Sequence, residues 1–193
     1  MPKNAAKRFR KLAKNASNHE TLALLLAPES AIFDSQAPVV VVSEIFIPAQ
    51  TSSPDECAMT RVGNEQLATH CHEHSLSVVG WLHTHPTHGK YPSSIDLHQM
   101  FERYERHSVC DVSVILQGRE REGKPDKMWA WTLTSHGVKN IGKCRKDGFH
   151  SDHDVTKCVT KDFRFALVRS PHTTTLIDVR QESDSESLLE EVF

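Results

Sequence analysis

The sequence has little of what marks membrane, nucleic-acid-binding or disulfide-rich proteins. No apolar run approaches the length of a membrane span. The net charge is -2, so no strong nucleic-acid-binding surface is expected. The five cysteines are odd in number and widely spaced, and no secretory signal pattern precedes them. We therefore expect a reducing, cytoplasmic environment rather than a disulfide framework.

The sequence also lacks any Cys-x-x-Cys pair. Zinc nucleoside deaminases need such a pair as metal ligands, so this class of enzyme is excluded. Histidine, in contrast, is abundant, with 13 copies in 193 residues. Because imidazole is a common metal ligand, metal sites are the first functional feature to look for.

The pattern of apolar residues predicts a single α/β domain. A mixed sheet with packed helices is expected over residues 1–180, followed by an acidic tail over 181–193. Predicted strands cover residues 21–27, 39–48, 76–83, 109–116, 128–134, 163–169 and 173–179. Predicted helices cover 4–18, 65–73 and 93–107, with Ser93 or Ser94 as the cap of the last. Residues 49–56 are expected to form a loop and 143–157 an irregular segment.

Three potential zinc ligands occur around the end of the apolar strand that precedes Pro86. His83 and His85 lie two residues apart, and the period of a strand directs both side chains to one face. Asp96 follows in the first turn of the next helix. Two imidazoles and one carboxylate, with water in the fourth position, are a common catalytic zinc site. Zinc at such a site lowers the pKa of the water toward ~7.

A second group of metal ligands is suggested by His98. It lies two residues after Asp96 on the same helix, so the two side chains point roughly 200° apart and cannot readily share one metal. The segment CRKDGFHSDH has metal-ligand spacing. It could complete a closed zinc site of structural type with His98 through Cys144, His150 and His153.

Two alternatives stay open at this second site. Asp152 could replace His153 as the fourth ligand. Alternatively, Cys144 is an inert core thiol and the histidines are solvated, because spacing alone constrains such sites loosely.

The stretch from His83 to Asp96 matches, without a gap, the motif HxHPx₆SxxD of the JAMM (MPN+) metalloproteases. Within that superfamily, the segments GWLHTHPT, SSIDLH, LTSHGVKNI and CRKDGFH resemble those of AMSH-type deubiquitinases. The resemblance covers about residues 5–180. It implies a fold like that of cytidine deaminases. It also implies zinc-dependent hydrolysis of isopeptide bonds in ubiquitin chains, in particular lysine-63-linked chains.

The resemblance also implies roles for individual residues around the catalytic zinc. The motif ligands His83, His85 and Asp96 would hold the zinc, and Ser93 would donate a hydrogen bond to the developing oxyanion. Glu20 falls on the position of the general base, in a segment ETLALLLA that aligns with the family pattern ETCGxLCG. Both glycines of that pattern are alanines in this chain.

For the second zinc, the resemblance matches His98, Cys144 and His150, whereas the last family histidine is displaced by one residue to His153. The loop that carries these ligands resembles the family insertion that contacts the proximal ubiquitin. Phe149 would be the exposed apolar contact, although simple packing of the loop is an equally open interpretation.

Two other functions compete with a ubiquitin-specific enzyme. The chain could cleave another ubiquitin-like conjugate, or it could be an inactive MPN scaffold that binds partners. Intact His83, His85, Ser93 and Asp96 argue against the scaffold. The expected partners are ubiquitin chains. An association with endosomal-sorting machinery, and hence with endosomes, is implied by the resemblance alone.

Overall fold

The computed structural model of the chain describes residues 9, 11, 18–32, 41–86, 89–106, 112–117, 128–162 and 175–180. The elements in chain order are β1 (Leu22–Pro28), α1 (Glu29–Ile32), β2 (Glu44–Ile47), β3 (Gln50–Ser52), β4 (Cys57–Met59), α2 (Arg61–His74), β5 (Leu76–His85), α3 (Ser94–Arg106), β6 (Val112–Gln117), β7 (Met128–Leu133), α4 (Ser135–Ile141), α5 (Val155–Cys158), β8 (Val159–Lys161) and β9 (Thr175–Asp178). None of the helices in these ranges combines the length and the apolar character that crossing a membrane requires.

A mixed sheet forms the centre of the described structure. Its seven strands lie in the order β8-β7-β6-β5-β1-β2-β9. The pairs β5–β6 and β2–β9 are parallel, and the other neighbours are antiparallel. Strands β3 and β4 form a separate two-stranded hairpin. The predicted α/β fold with a mixed sheet is therefore confirmed.

Strand β1 is buried on both faces because apolar side chains cover it from each side. Residues 23, 25 and 27 belong to one core cluster, which also contains Phe9. Residues 22, 24 and 26 belong to the other, which includes Leu97 and Met100 of α3. Ala23 and Ala27, which replace the two family glycines, are fully buried in the first cluster. Their methyl groups thus take part in the packing of the sheet.

The end of β5 lies on the face of the sheet that α3 covers. Trp81 packs in the same cluster as the α3 residue Leu97. The ring of His83 stacks on Trp81, with the ring centroids 4.6 Å apart. Because successive side chains of a strand alternate between faces, both histidines of β5 point toward the helix.

The structure corrects several details of the predicted elements. The expected loop over 49–56 is wrong, because residues 50–52 and 57–59 pair as a hairpin around Pro54. Strands of three residues are too short to show a period. Helix α4 and strand β8 were not predicted, and α5 ends the segment expected to be irregular. The predicted strand 163–169, the tail and most of the helix 4–18 lie outside the described residues, although Phe9 and Lys11 are helical.

Gly137 lets α4 approach the chain at Cys158. A Cβ atom at position 137 would lie 2.1 Å from the carbonyl oxygen of Cys158. We expect Gly137→Ala to lower the free energy of unfolding by about 1–3 kcal/mol, because backbone atoms must shift to relieve the contact. His136→Ala, at an exposed position of the same helix, is the matched control. Urea unfolding measures both, and equal stability of the two variants would contradict the packing described here.

Candidate active site and metal centres

The pairing of β1 with β5 places residues from distant parts of the chain at one edge of the sheet. Leu22 lies opposite His83 in the register. Just before β1, the amide of Thr21 donates to the hydroxyl of Thr84 at 2.9 Å, and the amide of Thr84 donates to the carbonyl of Thr21 at 3.1 Å. These bonds extend the pairing by one residue, so Glu20 lies beside the end of β5.

His83, His85 and Asp96 converge at this edge, and all three are buried. The Nε2 atoms of the two histidines are 2.9 Å apart. Asp96 Oδ1 lies 3.2 Å from His83 Nε2, and Asp96 Oδ2 lies 3.4 Å from His85 Nε2. Burial alone would raise the pKa of Asp96, but the adjacent histidines hold it well below its usual value.

The chemistry of these three groups fits a divalent cation. His85 Nδ1 donates to the carbonyl oxygen of Gly89 at 2.9 Å, so the neutral ring carries its lone pair on Nε2, the nitrogen that faces the cluster. The two imidazole nitrogens and the carboxylate oxygen face one another. Each of these atoms can donate an electron pair to a cation. The group could therefore hold a metal ion in the open, three-ligand manner of catalytic zinc sites.

Glu20 supplies a second buried carboxylate to this site. Its side chain is only 6% exposed, and its Oε1 atom is 3.9 Å from His85 Nε2. Burial raises the pKa of Glu20 to about 7, and the charge of Asp96 contributes to this shift, while His85 opposes it. A carboxyl group with a pKa near neutrality can both accept and return a proton.

Ser93 and Asp96 form a reciprocal cap at the start of α3. The Ser93 hydroxyl accepts from the Asp96 amide at 3.1 Å, and the Ser93 amide donates to Asp96 Oδ2 at 2.7 Å. The Ser93 hydroxyl also donates to Asp96 Oδ2 at 2.7 Å. This arrangement is a capping box, which satisfies amide groups at the helix start. The SxxD part of the motif thus begins the helix and orients the carboxylate at the same time.

The second group predicted from the sequence also comes together. The ligand-type atoms of His98, Cys144, His150 and His153 all lie within 4.8 Å of one another, so this group too could hold a metal ion. His98 Nε2 is 3.3 Å from His153 Nε2, and Cys144 Sγ is 3.7 Å from His150 Nε2. Asp96 belongs to the first group and His98 to the second, because their side chains leave α3 in different directions.

The geometry favours His153 over Asp152 in this second group. His153 Nδ1 lies 2.5 Å from Asn140 Oδ1 and donates to it, which leaves the lone pair on Nε2 facing the cluster. The Asp152 carboxylate instead pairs with Lys146 Nζ at 2.5 Å, and its side chain is 47% exposed. Asp152 also lies 3.4 Å from His150 Nδ1, on the side of the ring away from Cys144.

Ser94 hydrogen-bonds the start of α3 to the loop that carries His150. The amide of His150 donates to the Ser94 hydroxyl at 2.9 Å, and that hydroxyl donates to the carbonyl of Gly148 at 3.4 Å. Phe149 lies between Gly148 and His150 in the chain, and it is 72% exposed. Gly148 has a φ of 69°, a conformation that favours glycine, and it turns the chain so that the ring of Phe149 points to solvent.

The sequence does not point to Asn140 or the carbonyl of Gly89, and it suggests Ser94 only as a candidate helix cap. Asn140 lies within the segment LTSHGVKNI, but nothing in the letters relates it to His153. Asn140 and Gly89 bind the rings of two ligand histidines, and Ser94 binds the main chain of a third, but no motif spacing links these partners to the ligands.

Residues 2–134 match the family described as prokaryotic homologs of the JAB domain. The chain belongs to the JAB domain family. The match extends over helix α3 and strand β7, and it therefore includes Glu20, both strand histidines, Ser93 and Asp96.

Curated relatives of this JAB domain agree with the resemblance found in the sequence. The chain is 31% identical to a STAM-binding protein-like protein of Xenopus laevis over 109 residues, which cover 56% of this chain and 24% of the relative. It is 29% identical to the human AMSH-like protease over 109 residues, covering 56% of this chain and 23% of that protein. It is 28% identical to the mouse AMSH-like protease over 135 residues, covering 70% of this chain and 29% of that protein. The chain thus spans only about a quarter of the length of these relatives.

The capping box of this JAB domain can be tested through stability. Ser93→Ala removes the side-chain acceptor for the Asp96 amide, and we expect it to lower the free energy of unfolding by about 1 kcal/mol. Ser93→Thr keeps a hydroxyl at the cap and should remain within a few tenths of a kcal/mol of the unmutated protein, since both residues cap well. Urea unfolding at neutral pH distinguishes the two. An alanine variant as stable as the threonine variant would show that the cap contributes nothing.

Proposed function

We propose that this chain is a zinc-dependent isopeptidase that cleaves ubiquitin chains, with a preference for lysine-63 linkages. The observation that carries the proposal is the convergence of His83, His85 and Asp96 beside the buried carboxylate of Glu20. Membership of the JAB domain family and the AMSH-like relatives support the same conclusion.

In this proposal, His83, His85 and Asp96 hold the catalytic zinc. When bound, zinc supplies Lewis-acid chemistry, which polarises an amide carbonyl and makes water more acidic. The protein's contribution is to hold the three ligands rigidly. His85 is oriented by the carbonyl of Gly89 and Asp96 by Ser93, so little reorganisation is needed at the site.

Glu20 acts as general base and then as general acid. Its carboxylate takes a proton from the attacking water and later gives it to the lysine amine that leaves. Burial supports this role, because it raises the pKa of Glu20 to about 7, where both proton transfers are feasible. Ser93 donates a hydrogen bond to the oxyanion that develops on the carbonyl. Its hydroxyl donates to Asp96 in the described structure and must turn toward the substrate to do so.

The second group of metal-ligand residues lies next to a loop that could contact the substrate. We propose that His98, Cys144, His150 and His153 hold a structural zinc. A closed four-ligand site would fix the loop that presents Phe149. With its ring 72% exposed beside the active site, Phe149 offers an apolar contact for the proximal ubiquitin.

The matched region covers only about a quarter of each relative, so partners and location cannot be carried over from the relatives as findings. The names of two of them refer to STAM binding or to an AMSH-like protease. For this chain, endosomal-sorting partners and an endosome-associated location therefore remain proposals that rest on the family resemblance, and a cytoplasmic location rests on the cysteine pattern.

A panel of ubiquitin dimers tests the function directly. The purified chain is incubated with each linkage type before and after zinc removal, and metal content is measured in parallel. We expect cleavage of lysine-63-linked dimers that chelation abolishes and zinc restores. Cleavage of other linkages alone would overturn the linkage preference. Activity that persists in zinc-free protein would overturn the metal mechanism. Zinc binding without any cleavage would favour the inactive scaffold.

Replacing the proposed base tests the role of Glu20. Glu20→Gln keeps the size of the side chain but cannot accept the proton, so we expect kcat to fall by about 10²–10⁴ while zinc content is unchanged. Glu65→Gln, on the exposed face of α2, is a control that should leave kcat unaltered. Near-normal turnover of Glu20→Gln would mean that the base lies elsewhere.

Metal analysis tests the second site and its fourth ligand. We expect about two zinc ions per chain, and about one in Cys144→Ser, since loss of one ligand opens a closed site. His153→Ala should lose the same ion, whereas Asp152→Ala should keep it, because the Asp152 carboxylate pairs with Lys146 instead. The converse pattern would assign the ligand to Asp152, and a single zinc in the unmutated chain would rule out the structural site.

A further inference from the structure

Glu20 lies just outside the regular part of the sheet, because β1 begins at Leu22. Asn18, shortly before it, has a φ of 63°, so the chain turns before it enters the strand. The ends of strands open more readily than their centres. The position of the proposed base therefore depends on contacts that hold the main chain of residues 20–22.

On the side of β5, a threonine side chain takes the place of a main-chain partner. The amide of Thr84 donates to the carbonyl of Thr21 at 3.1 Å, as in a regular antiparallel ladder. In such a ladder the returning bond would run to the Thr84 carbonyl. Here the amide of Thr21 donates to the Thr84 hydroxyl at 2.9 Å. Both residues are buried, so the Thr21 amide depends on this hydroxyl for its acceptor.

On the opposite side, the side chain of Gln50 takes the place of a strand residue. Leu24 pairs with Phe46 of β2, and the same register would set Leu22 opposite Pro48, which has no amide to donate. Gln50 Oε1 instead accepts from the Leu22 amide at 2.7 Å, and Gln50 Nε2 donates to the Leu22 carbonyl at 3.0 Å. The same nitrogen donates to the Pro48 carbonyl at 3.1 Å, which holds the side chain in place.

The hairpin that carries Gln50 also binds the main chain of Glu20. The Glu20 amide donates to the carbonyl of Ser53 at 2.7 Å, and the hydroxyl of Ser52 donates to the Glu20 carbonyl. A glutamate side chain adopts a small set of staggered rotamers, so the direction of its Cα–Cβ bond decides where the carboxylate can lie. The main-chain bonds of residues 20–22 thus help to keep Glu20 Oε1 at 3.9 Å from His85 Nε2.

We propose that Thr84 and Gln50 are positioning residues for Glu20: their side chains replace main-chain partners on the two sides of β1, and so hold the proposed base beside the zinc ligands. The inference rests on the proposed role of Glu20 and adds two residues to it. Two explanations compete with it. Thr84 lies between His83 and His85, so loss of its hydroxyl could disturb the zinc ligands instead. Alternatively, both side chains could contribute to stability alone.

Kinetics of matched variants test the proposal. Thr84→Val keeps the branched shape but removes the hydroxyl, and it should lower kcat on a ubiquitin dimer by about 10–100-fold with KM and zinc content nearly unchanged. Thr84→Ser keeps the hydroxyl and should retain most of the rate. Gln50→Met has a similar length without hydrogen-bonding groups and should behave like Thr84→Val. Thr51→Val is the control, because the Thr51 hydroxyl donates to the Ala58 carbonyl at 3.3 Å within the hairpin, and kcat should not change.

The Glu20→Gln background separates positioning of the base from the competing explanations. If Thr84 acts through Glu20, Thr84→Val should have little further effect on the residual rate, since residues that act as a unit are not additive. An equal fold loss of kcat in both backgrounds would assign Thr84 to the zinc ligands or to packing and would overturn the proposal. A loss in Thr84→Ser as large as that in Thr84→Val, at normal zinc content, would also overturn it, because the hydroxyl would not be the cause.

Hydrogen exchange distinguishes failure of this inference from failure of the proposed function. The amides of Thr21 and Leu22 donate to the two side chains whether or not the chain cleaves ubiquitin. We expect Thr84→Val to reduce protection of the Thr21 amide and Gln50→Met that of the Leu22 amide, while the amide of Leu25 in the centre of β1 stays protected. This result would support the two contacts even if no dimer is cleaved. Unchanged protection of both amides would overturn the proposal whatever the activity.

Discussion

Glu20 and the two strand histidines lie far apart in the chain, and they meet because β1 pairs antiparallel with β5. Antiparallel pairing brings the start of β1 to the end of β5. The hydrogen bonds between Thr21 and Thr84 extend this pairing up to the residue next to Glu20. A register shift of one residue would turn the side chains of β1 to the opposite face. Burial of β1 on both faces makes its displacement costly, and the position of the base depends on that burial.

The N-terminal turn of α3 is the second structural constraint on the site. Ser93 caps the helix and orients Asp96, and Ser94 binds the loop at His150. The start of one helix thus serves both groups of metal ligands, since Asp96 faces the strand histidines and His98 faces Cys144 and its neighbours. A change in the start of this helix would move ligands of both centres together.

The β3–β4 hairpin shows how a small element can matter to a site without carrying any of its predicted ligands. It supplies hydrogen bonds to the main chain of Glu20 and Leu22. Its strands are three residues each, and the sequence predicts a loop there. The contacts that hold a reactive group in place are dispersed and individually weak as sequence signals, whereas metal ligands are concentrated in a motif.

The spacing of residues within single strands and helices determined much of the fold and of the arrangement of the metal-ligand residues. The alternation of a strand placed His83 and His85 on one face, and the 100° step of a helix separated His98 from Asp96. Apolar periodicity was sufficient for the mixed α/β sheet, and the motif was sufficient for the family. Only the tertiary structure decided which fourth residue faces the second cluster, what orients each histidine, and what covers Glu20. Those outcomes depend on contacts such as His153 with Asn140, between residues on different elements. No periodic pattern within one segment records such contacts, because they arise only when the elements pack together.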